Sequence, residues 1–245
     1  MIALTRLSLA SFCLLVCNIC NAQTYTIGVE DIVYYPAYSY ENDQFGGYGR
    51  ALLDAFAQRK GYEFKYKAYP VNRLYLKYLN QELDFKYPDH ANWKLDSKKK
   101  HTIFYSQPAG NYIDGVMVRP DDKDKPLDQL KVLGTILGFT PWDYLSLQTA
   151  NNIKIEESPS YEHLLNKIIN IRIDGIYSNI EVAKYQLKKL GYNADALVFN
   201  AKLPHSSDSY RLSSIKHPDI ISEFNQFLKQ EKAFVSDLEN KFNLR

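Results

Sequence analysis

The sequence predicts an α/β protein made of two open-sheet units, and three observations carry that reading. The first ninety residues order as β-α-β-α-β. A second alternation of strand and helix starts near Gly115 and runs to about residue 200. All three cysteines of the 245-residue chain, Cys13, Cys17 and Cys20, lie near its start. The chain beyond Cys20 must fold on apolar burial alone, with no disulfide, thiolate metal site or cysteine nucleophile.

The chain opens "MIALTRLSLASFCLLVCNICNAQTYTIGV". Arg6 is the first charge, and an apolar run from Leu7 to Ile19 comes after it. That run is too short for the roughly 20 residues that span a bilayer. The small residues of "CNA" then suit a signal peptidase, so residues 1–22 are expected to be a cleaved signal peptide. Val16 and Ile19 precede Cys17 and Cys20, which argues against lipidation. The formal charge is +2, and loss of Arg6 leaves +1. Nothing in that balance suggests nucleic acid or a membrane surface.

The elements run in order along the chain. "TYTIGVE" alternates as a strand. "GGYGRALLDAFAQRKG" repeats apolar residues at helical spacing and stops at Gly61. "EFKYKAY" is a second strand. "PVNRLYLKYLNQE" is a helix with Pro70 near its start. "LDFKYP" is a short third strand. In the second unit "GVMVRP" is a strand, "LDQLKVLGTILG" a short helix then a strand, and "PWDYLSLQTAN" a helix with Thr140 as its expected N-cap. "IKIEES", "SYEHLLNKIIN", "IDGIYS" and "IEVAKYQLKKLG" continue as strand, helix, strand and helix. "ALVFNAKL" is strand-like. The tail is helical with a break near Lys232.

Two such units suggest two lobes with a cleft. In open α/β sheets ligands gather at the carboxyl ends of strands. The loop after the first strand, "YYPAYSYENDQFGGYG", carries five tyrosines in sixteen residues. Those rings either pack beneath the loop or form a gripping surface. Tyr87, His90 and Trp93 come after the third strand, again facing the expected cleft. Trp93 is a contact residue or a lid over core, and His90 reads as a solvated histidine. Arg73 stands in a helix's first turn, where positive charge is unfavourable. It would reach an acidic solute or pair with a carboxylate such as Asp84.

The stretches "YYPAYSYENDQFGGYGRALLDAFAQRKG", "PVNRLYLKYLNQELDF", "HTIFYSQPAGNYIDGVMV", "LGTILGFTPWDYL" and "IDGIYSN", in that order, resemble the type II periplasmic solute-binding proteins. The likeness is to the family 3 group that includes amino-acid-binding proteins. The resemblance implies a two-lobe fold with a double crossover hinge. Residues 23–110 and 203–245 would form lobe I, and 111–202 lobe II. It implies stacking rings at Tyr35 and Tyr38, and further ligand contacts from Tyr87, Trp93, Ser106, Thr140, Trp142 and Asn179, with Arg73 beside them. Trp142 would be a second stacking ring or a residue packed between lobes, and Asp143 would complement a helix dipole. Two departures stand out. Lys99 falls where amino-acid-binding relatives hold an arginine, and it is a single point charge or part of a solvated three-lysine turn. Asn179 falls where they hold a carboxylate, with Glu181 two residues on. A neutral α-amino acid would therefore lack its usual charge clamp.

The resemblance also implies the function: a monomeric periplasmic protein that closes on a small polar solute and passes it to a membrane partner. That partner would be an ABC permease or a sensor. A dehydratase-like enzyme on the same fold would need a placed acid or base. No such constellation stands out in the sequence, so no catalytic residue, metal or cofactor is expected. Intact-mass measurement of the exported protein is expected to give a chain that starts at Gln23 and carries no acyl group. A mass retaining residues 1–22 would contradict this.

Overall fold

A computed structural model describes residues 22–150 and 152–244. The expected signal segment lies outside them except for Ala22. Strand β1 (Gln23–Glu30) leads into a three-stranded ribbon of β2 (Val33–Tyr34), β3 (Tyr38–Glu41) and β4 (Gln44–Gly46). The tyrosine-rich stretch, read as a loop, thus forms ladder pairs of its own. Helix α1 (Gly47–Lys60) buries Leu52, Leu53 and Phe56, spaced to share one face. It ends at Gly61, whose φ of 71° is left-handed. Then come β5 (Tyr62–Tyr69), α2 (Val71–Leu79), β6 (Phe85–Asp89), the one-turn α3 (Leu95–Lys98) and β7 (Phe104–Tyr105).

Strand β8 (Asn111–Val118) starts the second unit. It continues through β9 (Val132–Ile136), a 3₁₀ turn at Trp142–Tyr144, the short α4 (Leu147–Ala150), β10 (Lys154–Ser158) and α5 (Tyr161–Ile169). After them come β11 (Gly175–Asn179), α6 (Ile180–Lys189), β12 (Val198–Phe199) and β13 (Ser206–Ser209). The expected helix over "PWDYLSLQTAN" is broken into these two pieces. Pro141, not Thr140, occupies the N-cap position of the 3₁₀ turn, and no side chain caps it. The chain ends in β14 (Arg211–Ser214), α7 (Pro218–Gln230) and α8 (Lys232–Lys241). Among the described residues no helix is long and apolar enough to cross a membrane.

The strands make two separate main sheets, ordered β5-β1-β6-β14-β7 and β10-β9-β11-β8-β12, with β13 also pairing β8. β1 and β5 run parallel over their full length, and β9, β10 and β11 are parallel to one another. Central β6 is buried at every residue, whereas edge strand β5 alternates between partly buried and exposed. This is a mixed α/β, two-lobe architecture.

The chain crosses between lobes twice, and the crossings pair with each other. Ser206–Ser209 of β13 ladders with Asn111–Asp114 of β8. The Tyr210 N–H then donates to the Gly110 carbonyl at 2.8 Å, and the Ala109 N–H to the Tyr210 carbonyl at 2.8 Å. β14 next pairs β6 and β7 in the first sheet. The return to lobe I therefore falls at Tyr210, later than residue 203, because the serine-rich stretch before it has a free edge of β8 to complete. Helices α7 and α8 lie against the first lobe. Tyr62 Oη donates to Glu223 at 2.8 Å, and Arg59 pairs with Glu231.

Gly110 sits at this crossing with φ of 123°. A Cβ there would stand 2.6 Å from the buried Tyr48 ring. Gly110→Ala therefore adds a steric clash to a backbone that L-residues avoid. The variant should lose about 2–4 kcal/mol of stability, read as a lower midpoint in urea unfolding. An unchanged midpoint would show that the crossing tolerates a side chain.

Candidate functional site

The carboxyl ends of β1 and β6 in lobe I face those of β9 and β11 in lobe II across a cleft with about 590 Å³ of empty space, part of it open to solvent. Its rings are Tyr34, Tyr38, Tyr75, Trp93, Phe139, Tyr177 and Tyr210. Its charges are Glu30, Lys94 and Asp114. A second recess continues from it past Trp93, Asp114 and Tyr177 to His90, Trp142 and Asp208. The aromatic walls and the few charges among them suit a small organic molecule.

Lobe I supplies a dense charge network. Glu30, the last residue of β1, is buried and accepts from Tyr38 Oη at 2.6 Å. Lys86 Nζ lies 3.9 Å from Glu30 and 3.7 Å from Asp89, beneath the ring of Tyr75 at 4.5 Å. Burial pushes the Glu30 carboxyl upward, against the pull of Lys86 and Tyr38. Burial acts the same way on Asp89, but the charges of Lys86 and Lys98 and the hydrogen bonds from Lys98 and Ser213 win, and Asp89 is held below its ordinary value. Lys98 Nζ donates to Asp89 at 2.8 Å and to the His90 carbonyl at 2.7 Å, and Ser213 Oγ donates to Asp89 at 2.7 Å. A fully satisfied buried network of this kind fixes the floor of the site.

Lobe II presents the opposite case. Asp114 projects from β8, and its Oδ1 is shut off from solvent with no hydrogen-bond partner. Loss of hydration, reinforced by Asp143 and Glu30 nearby, pushes its carboxyl up to about 7. Asp143 is itself engaged. Tyr177 Oη donates to it at 2.6 Å and Ser206 Oγ at 2.7 Å. It stands in the first turn of the 3₁₀ segment, as expected of a dipole partner, and also ties the 142–144 turn to β11 and β13.

The rest of the sequence's candidates divide. Tyr38, Trp93 and Thr140 line the cleft, and Trp142 lines the adjoining recess. Tyr35 does not. It turns away to pack on Tyr185 at 4.5 Å, a contact between lobes. Its neighbour Tyr34 takes the inward place, within 5.2 Å of Phe139 across the cleft. Tyr87 is fully buried behind the wall, donating to the Ala109 carbonyl. Ser106 commits its hydroxyl to the Gln107 carbonyl and the Leu212 N–H. Arg73 is exposed over Tyr69, and it is Lys216 and His217 that pair with Asp84. Lys99 is a solvated charge paired with Asp96; the inward lysine of that turn is Lys98. Asn179 is buried beside the cleft, but its oxygen caps α6 by accepting from the N–H groups of Glu181 and Val182. Its Nδ2 reaches Tyr210 Oη at 3.5 Å. Glu181 pairs outward with Lys184. His90 is not solvated; it is buried and pairs with Asp208 at 2.9 Å. Desolvation lowers its pKa despite that partner.

Sequence reasoning missed Glu30, Tyr34, Tyr75, Lys94, Asp114, Tyr177 and Tyr210. Two of these carried a readable signal. Glu30 closes the first strand, where the strand-end rule points. Asp114 is a lone charge on entry to the apolar strand "GVMV". Among the described residues no group of three His, Cys, Asp or Glu is arranged to hold a metal ion.

No protein-family profile matches the sequence, and no curated protein matches it. Solved structures do match in fold. An ancestral arginine-binding protein bound to arginine superposes with a TM-score of 0.71 at 17% identity, over 89% of this chain and 97% of that one. An arginine third-transport-system periplasmic binding protein from Legionella pneumophila gives 0.69 at 18%, over 90% and 100%. An ancestral amino-acid-binding protein, a precursor of cyclohexadienyl dehydratase, gives 0.69 at 19%, over 91% and 96%. The chain thus has the two-lobe fold of the type II periplasmic binding proteins.

Asp114 makes a pH prediction. A folded carboxyl that ionises near 7 rather than near 4 costs stability as pH rises between those values. Asp114→Asn should match the wild type in thermal midpoint near pH 4 and exceed it by several degrees at pH 8. Equal midpoints at both pH values would mean that the charge is compensated.

Proposed function

We propose that the protein is an exported solute-binding protein whose two lobes close on a small polar solute without chemistry. The observation that carries this reading is an aromatic cleft lying between two lobes that the chain itself links through paired crossover strands. Such a connection allows the lobes to swing, and a solute touching both walls favours the closed form by its differential affinity. The rings supply contact area at little conformational cost, because each has two side-chain torsions to fix. Glu30 and Asp114 supply the few polar contacts that set orientation.

The solved structures of the same fold that bind solutes support the same reading. The Legionella protein is described as part of a transport system, which favours delivery to a membrane transporter. A sensor that reports closure to a membrane protein is the second reading. The ribbon around Tyr34 and Tyr35 favours it equally, because it holds the lobes together through contacts that need no solute. An enzyme is the least supported reading. Asp114 is desolvated and could carry a proton, but its ladder neighbour Ser206 gives its hydroxyl to Asp143, and that of Ser178, in the same cleft, is held by Tyr161.

A thermal-shift screen of the mature protein tests binding directly. A true solute at a hundred times its dissociation constant adds roughly 2.7 kcal/mol. Trp93→Ala and Tyr177→Ala should each weaken that solute at least tenfold, about 1.4 kcal/mol, whereas Tyr35→Ala should leave the direct contacts intact. Unchanged affinity in both cleft variants would place the solute elsewhere.

A further inference from the structure

The charges of the cleft are divided unequally between its walls. On lobe I, Glu30 faces Lys86 and Lys94, and Asp89 is closed off by Lys86 and Lys98. On lobe II, the lining of the cleft and its adjoining recess holds Asp114 and Asp208 but no lysine or arginine. Asp143 stands behind them. Asp208 has His90 as its partner; Asp114 has none among the described residues. Its buried Oδ1 receives no donor from the protein.

Tyrosines surround this carboxylate. Tyr34, Tyr161, Tyr177 and Tyr210 are all near enough for its charge to hinder their ionisation. Tyr34 and Tyr210 are themselves linked through Asn179, whose backbone N–H donates to Tyr34 and whose Nδ2 reaches Tyr210. None of these hydroxyls donates to Asp114. A carboxylate left without donors in a cleft walled by aromatic rings is complementary to a positive group.

Building on the solute-binding reading, we propose that Asp114 is the anchor for an organic ammonium group, and that the solute is an amine with an apolar or aromatic body and no carboxylate beside its nitrogen. The ammonium group would supply the missing donors to Oδ1 and the missing counter-charge. The ring faces would surround its carbon-bearing side. No arginine lines the cleft, so a carboxylate on the same carbon finds no bidentate partner. That carboxylate would stand against the acidic wall. Lys94 lies on the opposite lobe, where its charge acts on Glu30.

Matched sets separate the possibilities: tyramine, tyrosine and 4-hydroxyphenylacetate; agmatine and arginine; and choline as a methylated cation. Each is titrated by calorimetry at pH 8 into the mature wild type, Asp114→Asn and Lys94→Gln. Support would be an amine that binds at least tenfold more tightly than its matching amino acid or acid. Asp114→Asn should weaken that amine at least thirtyfold, and Lys94→Gln less than threefold. Tighter binding of an amino acid or acid, lost in Lys94→Gln, would overturn the amine assignment while leaving a solute-binding protein. An amine bound equally well by Asp114→Asn would overturn the anchor. No heat from any member of the sets, together with no thermal shift from a broader panel of solutes, would overturn both readings.

Discussion

The structure depends on one pairing: β8 against β13, continued through the Gly110–Tyr210 hydrogen bonds. Each crossing alone is an extended segment with half its backbone groups unpaired. Laid antiparallel, they satisfy each other and form a two-stranded bridge between sheets. That bridge fixes which residues can meet. Asp114 stands opposite both Asn179 and Ser206 in its ladders. Tyr210 leaves the bridge to pack at a tilt on Tyr112 at 4.8 Å and edge-on to Tyr38 at 5.9 Å. The hinge and the site are therefore built from the same few residues.

Around it the two walls solve the problem of buried charge differently. Lobe I surrounds its carboxylates with lysines and hydroxyl donors until none is orphaned. Replacing one partner there would leave an uncompensated charge, which is more costly than never having buried the pair. Lobe II leaves Asp114 uncompensated and tolerates the penalty. The buried hydroxyls of Tyr48, Tyr78 and Ser158 are unpaired as well, but a carboxylate without donor or counter-charge breaks the local rule at far higher cost, which marks function more than packing.

Much of the fold was legible in the sequence because it rests on period and punctuation. Leu52, Leu53 and Phe56 mark α1, Gly61 ends it, and the alternation of "TYTIGVE" and "EFKYKAY" marks two paired strands. The "SSDSYRLSS" stretch was silent, because its serines carry no apolar period and its strands exist only to complete neighbours far away in sequence. The site was less legible for a related reason. Strand-end position found Trp93 and the tyrosine loop, but adjacent tyrosines differ only in which way the backbone turns them. Tyr34 went inward and Tyr35 outward. Asn179 stood at a meaningful place, yet its oxygen was taken by the first turn of α6. The carboxylate of that neighbourhood, Asp114, stands across the ladder on β8, and only its lone charge before "GVMV" pointed to it.

The ribbon also bears on what happens when no solute is present. Gln186 Nε2 donates to the Val33 carbonyl at 2.7 Å, Lys189 pairs with Glu41 at 2.6 Å, and Tyr35 packs on Tyr185. All three contacts join the lobes, and none involves the cleft. In a protein whose lobes close as proposed, they would set a resting level of closure that belongs to the protein itself. A membrane partner reading closure would then receive a background signal, and the solute would act as a gain control on it. The same contacts would slow release, since they must break before a captured molecule can leave. Trimming the ribbon would give a quieter, faster and weaker binder.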